Sequence, residues 1–510
     1  MNLKDMTLRE KIGQLFTFPA FAPQIDEEIS KLIREYKIGG VFLGTGCLLS
    51  TEQVHRLTTD LQRLSIREGS GGTLLISADF VAGVGCKVKE GAVHFPKNRA
   101  IGAANDEALA YAAGKITAEE SLAVGVNFNY SPVVDINNNP LNPVIGTHSF
   151  GEDRDDVVRL GNAVIRGYQD HGLIATAKHF PGHGDTSVDS HEDLPVLPFT
   201  KERLRSFELV PFQKAVEAGV DAVMVGHIAV PSIDPSLTPA SLSYPITTGV
   251  LREELGFEGL IVTDGLSMKG ITRKYGMPEA CVMALQAGAD ILLATTDGYE
   301  QSVSMLQAVY DAVESGHLSE ERINASVTRI LKAKEKYKLT AEHFNPAFRA
   351  SNLQTAAGKD VALSLARKAL TPKGGMAKGI LSGLNGSRAI RVIYDERCAI
   401  LAENLQAAGP TTITAEPFAS LEDAEPKLAD IEAGSAVIAV TAGSKPIGPE
   451  ASQALESLLR RFDHAIWVHF GSPYDVEEAG IPCLLMYDFA PSLQTAAAEY
   501  LLNTKPEQRL

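Results

Sequence analysis

The chain has little tryptophan and cysteine, a shortage of positive charge, and no long apolar run. Its 510 residues include one tryptophan and five cysteines, and 47 lysines and arginines face 63 aspartates and glutamates, for a net charge of −16. This charge disfavours nucleic acid or an anionic membrane surface as the main partner. No apolar stretch approaches the roughly 18–20 residues that a membrane-spanning helix needs.

The amino terminus and the cysteines favour a reducing compartment. Residues 1–16 contain neither an apolar core nor a small-residue cleavage site of the kind found in signal peptides. The cysteines are odd in number and widely scattered, without the spacing of a metal site or of a disulfide framework. They are Cys47, Cys86, Cys281, Cys398 and Cys483. We therefore expect free thiols in apolar surroundings and a soluble, cytoplasmic protein.

Short apolar runs alternate with helical patterns over the first two thirds of the chain. Eight strands are predicted, at 13–18, 40–43, 73–79, 127–132, 175–180, 222–227, 260–264 and 290–294. Amphipathic helices are predicted between most of them, for example at 106–122, 155–171, 201–218 and 278–287. Such alternation is typical of a parallel sheet, and eight strands predict an α/β fold with a (β/α)8 barrel of the TIM type.

A second, smaller alternation follows. Predicted helices at 319–338 and 354–370 lead to strands at 390–394, 436–441, 466–470 and 482–487, separated by helices at 398–408, 449–461 and 493–502. This pattern predicts a C-terminal parallel α/β sandwich domain. We therefore expect a catalytic barrel over 1–340, a linker and helix over 341–385, and the sandwich domain over 386–510.

Ionisable residues stand at the ends of four predicted barrel strands. Asp79 ends the third strand, Lys178 and His179 end the fifth, His227 ends the sixth and Asp264 ends the seventh. In parallel α/β barrels the carboxyl ends of the strands surround the active site. We expect these side chains to lie around one mouth.

The segment that follows the fifth strand carries several histidines and aspartates. A proline and two glycines within residues 178–191 exclude a helix and predict a loop. Asp189 and His191 are two residues apart, so both point to the same side of an extended backbone. A carboxylate in that position orients an imidazole that donates and accepts protons. A merely solvated loop is the alternative interpretation.

A metal site is a second alternative for this loop. Its ligands would be His179, His183 and His191. Their spacing differs from the i, i+4 histidine pair of helical zinc motifs, and the glycine–proline breaks exclude a helical face.

Asp264 stands between an apolar strand and a glycine. A carboxylate in this place either caps the following helix or reacts at the mouth of the barrel. With Asp264 as nucleophile and His191 as acid/base, the pair suits glycosyl transfer through a covalent intermediate.

A series of short motifs runs in order along the predicted barrel. They lie at 79–80, 135–137, 142–146, 149–153, 178–184, 239–243 and 256–268. On these motifs the sequence resembles glycoside hydrolase family 3, specifically its β-N-acetylglucosaminidase branch. The resemblance is strong over about residues 5–340, and residues 385–510 are weakly similar to the family's second domain.

The resemblance implies roles for three residues of the reaction. Asp264 matches the nucleophile, His191 the general acid/base and Asp189 its partner. In the glucosidase branch the acid/base is a carboxylate from a later domain, so the Asp-x-His pattern favours the N-acetylglucosamine branch.

The resemblance also implies that Asp79, Lys178 and His179 bind the hydroxyls of the terminal sugar. Two positions depart from the family pattern. His148 stands where the family usually has a sugar-binding arginine, and Val81 stands where it usually has a glutamate. Histidine lacks the fixed, bidentate donors of arginine, so sugar recognition is the property that these departures affect.

The expected enzyme is a retaining exo-β-N-acetylglucosaminidase without a metal or organic cofactor. Met268 and His227 are further candidates for substrate contact, with packing as the alternative for each. The resemblance implies muropeptides or chitooligosaccharides as substrates inside the cell, in the context of wall recycling. Three alternatives remain: a phosphorylase of the same family, because a neutral histidine lets phosphate approach; a β-glucosidase; and a catalytically silent sugar-binding protein.

Overall fold

Two compact units make up the described part of the chain. A computed structural model describes residues 2–296, 298–378, 380–381, 389–408, 413–432, 434–443, 446–477 and 479–502. By internal contacts the first unit comprises residues 1–93, 110–145 and 152–358, and the second comprises 94–109, 146–151 and 359–510. Two short segments from the first third of the chain therefore belong to the second unit.

The first unit is built on two parallel sheets. Its strands are β1 (Phe16–Ala20), β2 (Gly40–Leu43), β3 (Leu75–Ala78), β4 (Phe128–Asn129), β5 (Thr176–Phe180), β6 (Ala222–Val225), β7 (Leu260–Thr263) and β8 (Leu292–Leu293). One sheet has the order β4-β3-β2-β1-β8 and the other β5-β6-β7. Isolated parallel bridges join Phe128 to Ile174 and Val262 to Ile291. Most strand residues are buried, as expected when helices cover a parallel sheet.

All eight predicted strands of this region are present, and the first is shifted. Its prediction began at residue 13, whereas residues Leu8–Gln14 form a helix. The Thr7 hydroxyl accepts from the backbone N–H of Glu10, and the Glu10 carboxylate accepts from the N–H of Thr7 at 2.8 Å. This reciprocal capping box starts the helix and delays the strand to Phe16.

Helices separate the strands in both units. They are α1 (Leu8–Gln14), α2 (Glu27–Tyr36), α3 (Thr51–Glu68), α4 (Asn98–Ala104), α5 (Glu107–Ala123), α6 (Arg154–Gln169), α7 (Lys201–Ser206), α8 (Val210–Glu217), α9 (Lys269–Thr272), α10 (Met277–Ala287), α11 (Tyr299–Glu314), α12 (Glu320–Lys336), α13 (Ala356–Ala369), α14 (Ala399–Ala408), α15 (Leu421–Ala429), α16 (Pro449–Leu459) and α17 (Pro491–Leu502), with a π-helix at Pro245–Glu254. None of the helices described is both long and apolar enough to cross a membrane.

The single helix predicted over 201–218 is wrong, because two helices, α7 and α8, occupy this segment. The backbone leaves helical geometry at Phe207, and α8 restarts with Pro211 in its first turn. Proline has no N–H to donate, so it is tolerated at a helix start but not inside a helix.

Among its described residues the second unit contains one sheet of six strands. They are β9 (Thr371–Lys373), β10 (Ile390–Asp395), β11 (Ile413–Phe418), β12 (Ala436–Ala442), β13 (His464–Phe470) and β14 (Cys483–Leu485), in the order β11-β10-β12-β13-β14-β9. Five strands are parallel, and β9 pairs antiparallel with β14 at the edge. The expectation of an entirely parallel sheet is therefore wrong at this edge, where a short, polar, half-exposed strand gave no sequence signal.

Candidate active site

Asp264 lies directly after β7. Its backbone N–H donates to the carbonyl of Val225 in β6 at 3.0 Å, and its carboxylate accepts from the N–H of Gly265 at 2.8 Å. Asp264 is only partly buried, so part of its surface is accessible to solvent. The strand end thus holds a carboxylate in a fixed place that a ligand can reach.

The surroundings of Asp264 favour its charged form. Burial acts to raise the pKa of this carboxyl group, but His179, His227, the Gly265 N–H and Lys178 together lower it below its ordinary value of 3.8. The neighbouring donors and basic side chains stabilise the carboxylate more than desolvation destabilises it here. Asp264 is therefore ionised at neutral pH.

A bulge at the end of β5 brings two adjacent residues to the same site. The pairing register with β6 shifts between Lys178 and Phe180, which leaves His179 outside the regular ladder. In a regular strand, neighbouring side chains point to opposite faces. The bulge explains how Lys178 and His179 both lower the pKa of Asp264.

Asp79, which follows β3, forms an ion pair with Lys178. The Lys178 Nζ lies 2.6 Å from the Asp79 Oδ1. The lysine side chain is 8% exposed and the aspartate side chain 35%, so the pair sits at the edge of the protein interior. Together they offer an acceptor and a donor of the kind that neighbouring sugar hydroxyls require.

Asp135 is a buried residue to which sequence reasoning assigned no role. Its carboxylate accepts from the backbone N–H and from Nδ1 of His179, the latter at 2.9 Å. It also accepts from the backbone N–H of His183 at 2.7 Å. The bond fixes the His179 ring, leaving Nε2 for other partners. The available sequence signals are its place directly after two valines and its place in the 135–137 motif.

Asp189 and His191 form the predicted pair, but in a turn and not on the extended backbone that the sequence predicts, because the N–H groups of Glu192 and Asp193 both donate to the Asp189 carbonyl. Asp189 Oδ1 accepts from the backbone N–H of His191 at 2.9 Å and lies 2.8 Å from its Nδ1. The His191 side chain is 64% exposed and the Asp189 side chain 18%. Because Nδ1 bonds to the carboxylate, Nε2 is the nitrogen that can exchange a proton with a bound molecule.

The loop that carries His191 is attached to α9, the helix that follows the Asp264 strand. Three contacts make the attachment, one between backbone groups and two between charged side chains. They are the Gly270 N–H to Ser190 carbonyl bond at 3.2 Å, the Lys269–Glu192 ion pair at 3.0 Å and the Arg273–Asp193 ion pair at 2.5 Å. The segments bearing Asp264 and His191 are therefore linked.

His227 is completely buried beside Asp264. Its Nε2–H donates to the carbonyl of Gly265 at 2.9 Å, and its Nδ1 lies 2.8 Å from the Ser241 hydroxyl. Burial lowers the pKa of this imidazole, although Asp264 acts in the opposite direction. His191 also lowers the pKa of His227, so these two histidines lie within electrostatic range of each other. The neutral ring braces the residue next to Asp264.

The three histidines of the metal alternative have separate partners. His179 bonds to Asp135, and His191 bonds to Asp189. His183 lies between Thr186 and Ser190. Within the described ranges, no group of three or more histidine, cysteine, aspartate or glutamate side chains is arranged to hold a metal ion.

Two further predicted residues have contrasting positions. Met268 is half-buried close to Asp264 in sequence, and its N–H donates to the Gly265 carbonyl at 3.0 Å. His148 lies in the second unit, partly exposed, and its carbonyl accepts from the Asn98 side chain at 2.8 Å.

Comparison with known proteins supplies the family. Residues 7–333 match the model of the glycosyl hydrolase family 3 N terminal domain. The chain belongs to glycoside hydrolase family 3. Beta-hexosaminidase A of Pseudoalteromonas piscicida is 31% identical over 487 residues, which are 90% of this chain and 79% of that protein. A beta-hexosaminidase of Hydrogenovibrio crunogenus is 34% identical over 61% of this chain and 84% of its own length.

A solved relative has the same architecture throughout. The family 3 β-N-acetylglucosaminidase from a Paenibacillus species is 33% identical, with a TM-score of 0.89 over 99% of this chain and 98% of that one. The family 3 chain described here is thus a glycoside hydrolase of mixed α/β fold with parallel sheets, and its substrates are carbohydrates.

Proposed function

We propose that this family 3 enzyme is a retaining exo-β-N-acetylglucosaminidase that releases terminal, non-reducing N-acetylglucosamine from muropeptides or chitooligosaccharides. The observation that carries the proposal is the exposed Asp189–His191 pair on a loop attached to the segment that follows Asp264. It combines a proton-transfer group with an ionised nucleophile. Relatives named beta-hexosaminidase and β-N-acetylglucosaminidase support the choice of sugar.

In the first half-reaction Asp264 attacks the anomeric carbon while the bond to the leaving oxygen breaks. His191 donates its Nε2 proton to that oxygen, and Asp189 stabilises the orientation of the ring through Nδ1. The product is a glycosyl ester of Asp264, and the aglycone departs as an alcohol.

In the second half-reaction the now neutral His191 removes a proton from water at Nε2. The resulting oxygen attacks the anomeric carbon, and Asp264 leaves as a carboxylate. The lowered pKa of Asp264 favours this departure, because a weaker base is a better leaving group. A histidine also performs the proton transfers without placing a second permanent negative charge near Asp264.

The terminal sugar is held by Asp79, Lys178 and His179 in this proposal. In the Asp79–Lys178 ion pair, the carboxylate would accept further hydrogen bonds from sugar hydroxyls, and the ammonium group would donate further hydrogen bonds to them. We assign His227 to bracing the Gly265 backbone, since both of its ring nitrogens already have partners. Met268 is proposed to contact the substrate.

We further propose that the two sheets of the first unit form one closed (β/α)8 barrel. The bridges at β4 and β7 support this closure, because they connect both outer strands of the smaller sheet to the larger one. The catalytic barrel would comprise residues 1–340 apart from the segments 94–109 and 146–151, which group with the second unit. A linker and helix to 385 and the sandwich domain from 386 would follow, with that boundary outside the described residues.

The proposal is tested by release of nitrophenol from the 4-nitrophenyl β-N-acetylglucosaminide and the matching β-glucoside, each with and without phosphate. We expect turnover of the N-acetyl substrate alone, independent of phosphate, with the β-anomer of the free sugar as first product by NMR. Phosphate-dependent formation of sugar 1-phosphate would instead identify a phosphorylase. Turnover of the glucoside alone would overturn the sugar assignment, and binding without turnover would overturn the proposed reaction.

A further inference from the structure

The loop that carries the Asp189–His191 pair also contains a buried histidine. His183 is 1% exposed. Its Nδ1 lies 2.6 Å from the Thr186 hydroxyl, and its Nε2 lies 3.0 Å from the Ser190 hydroxyl. Both ring nitrogens are thus engaged within the loop, and the proposed reaction gives this residue no task.

The hydrogen-bond pattern selects one form of the His183 ring. The Thr186 hydroxyl donates to the carbonyl of His183 at 3.0 Å, so its oxygen is left to accept from Nδ1–H. Nε2 then has no proton and accepts from the Ser190 hydroxyl. Burial lowers the pKa of His183, with His179 acting in the same direction, which agrees with this neutral ring.

The backbone around His183 is itself fixed. Its N–H donates to the Asp135 carboxylate, the group that also orients His179. Its carbonyl accepts from the Asn142 side chain at 2.8 Å, and the same side chain donates to Gly184 at 3.1 Å. The ring therefore projects from an anchored base and offers Ser190 a stationary acceptor.

Ser190 is the residue between Asp189 and His191, and it is held on two sides. Its hydroxyl reaches His183, and its carbonyl accepts from the Gly270 N–H. We infer that His183 and Ser190 are positioning residues that hold the Asp189–His191 pair in its reactive orientation. The inference rests on the proposed function, in which His191 transfers the proton.

Replacement of Ser190 by alanine tests the inference with little change of volume. We expect Ser190→Ala to lower kcat/KM about tenfold for phenyl β-N-acetylglucosaminide, whose poor leaving group requires proton donation. The leaving group of the 2,4-dinitrophenyl analogue departs without proton donation. For this substrate we expect the variant to lower the rate of the glycosylation step less than about twofold. The matched control is Ser187→Ala, because Ser187 is exposed on the same loop; it should retain the wild-type dependence on the leaving group.

Two replacements of His183 separate its ring nitrogens. A glutamine amide extends to about the place of Nε2, whereas an asparagine amide extends only to about that of Nδ1. We expect His183→Gln to keep a leaving-group dependence closer to wild type than His183→Asn. Circular dichroism and the unfolding midpoint identify a variant that fails to fold. If a His183 variant fails to fold, the comparison of Ser190→Ala with Ser187→Ala decides.

Failure of the inference is distinguishable from failure of the proposed function. If the wild type hydrolyses N-acetylglucosaminides but Ser190→Ala leaves the leaving-group dependence unchanged, the positioning role is overturned and the function stands. If the wild type hydrolyses none of them, the function fails. Nitrogen NMR of ¹⁵N-histidine-labelled protein then tests the geometry alone: an Nδ1–H His183 whose Nε2 signal shifts in Ser190→Ala supports the bond, and an Nε2–H His183 refutes it.

Discussion

The Asp189–His191 pair of the first unit and the His469–Asp475 pair of the second unit differ in access. In the first unit Asp189 Oδ1 lies 2.8 Å from Nδ1 of a His191 side chain that is 64% exposed. In the second unit His469 is fully buried, and its Nε2 lies 3.2 Å from Asp475 Oδ2 without hydrogen-bond geometry. One ring faces solvent while the other is closed in.

The surroundings of His469 explain its different role. Its Nδ1 lies 2.7 Å from the hydroxyl of Thr441, which accepts from the Trp467 indole at 2.8 Å. Asp475 accepts from two backbone N–H groups just before α16. Threonine, histidine and aspartate stand in the order of a catalytic triad, yet Thr441 is 2% exposed. The two pairs share residue types and differ in access, so access is the property that favours the Asp189–His191 pair as the proposed proton-transfer group.

The largest effect is expected at Asp264, the proposed nucleophile. Asp264→Asn should lower kcat/KM on the order of 10⁴-fold or more, the scale seen when a central catalytic group is lost. The measurement is steady-state hydrolysis of the nitrophenyl N-acetylglucosaminide, with intact mass spectrometry to look for a trapped glycosyl ester in the wild type. Residual activity within tenfold of wild type would remove Asp264 from the reaction.

A second large effect is expected at His191. His191→Gln should lower kcat/KM for a poor leaving group by roughly 10²–10⁴-fold, since it removes general acid catalysis. Azide added as an acceptor should restore turnover of an activated substrate, because an anion needs no deprotonation. If all leaving groups slow equally and azide has no effect, His191 would be a binding residue.

The buried pair should give the opposite result. His469→Gln should lower the free energy of unfolding of the second unit by about 2 kcal/mol, because it leaves buried polar partners unsatisfied, and leave kcat/KM unchanged. The matched control is His464→Gln, since His464 is exposed at the start of the same strand; it should alter neither quantity. Lost activity at unchanged stability would show that the second pair serves the reaction.

Buried histidines of the first unit should also behave as structural groups when the pH falls. The pKa values of His183 and His227 lie below the ordinary 6.5, so the unfolded chain binds these protons first. Stability is therefore full above pH 6.5 and declines as the pH falls below it, by at most about 1.4 kcal/mol per pH unit for each ring. Denaturant unfolding at pH 7.5 and 5.5 measures the decline, which should be shallower in His227→Gln; an equal slope would contradict the assignment.

The smallest effect is expected from the ion pairs that attach the His191 loop to α9. Lys269 and Glu192 are 55% and 68% exposed, and such pairs contribute about 0–1 kcal/mol. Lys269→Glu should slow turnover of a poor leaving group less than about fivefold, with the loss fading in high salt as charges are screened. The double variant with the charges exchanged, Lys269→Glu with Glu192→Lys, should recover the rate. If it does not, the ion pair does not contribute to the position of the His191 loop.

Much of the fold, and the strand ends that carry the candidate site residues, followed from local patterns. Apolar runs located all eight strands of the first unit, and glycine and proline located the loop after β5. Asp189 and His191 bond to each other as predicted, although across a turn and not along an extended backbone. Such features depend on residues near in sequence, which is why a single chain reveals them.

The remaining features depend on contacts between distant segments. Asp135 orients His179 from 44 positions away, and no local pattern contains that information. Strand β11 carried no clear apolar signal in the sequence, because only two of its six residues are buried. The assignment of residues 94–109 and 146–151 to the second unit likewise depends on tertiary packing alone.

The extra residue in β5 limits how this strand can change its length. The register shift lies between Lys178 and Phe180. Deletion of one residue there would restore a regular hydrogen-bond ladder. It would also turn the side chains on one side of the deletion to the opposite face of the sheet. The strand thus accepts replacement of a side chain more readily than insertion or deletion, so changes in what the candidate site binds should arise here through point substitutions.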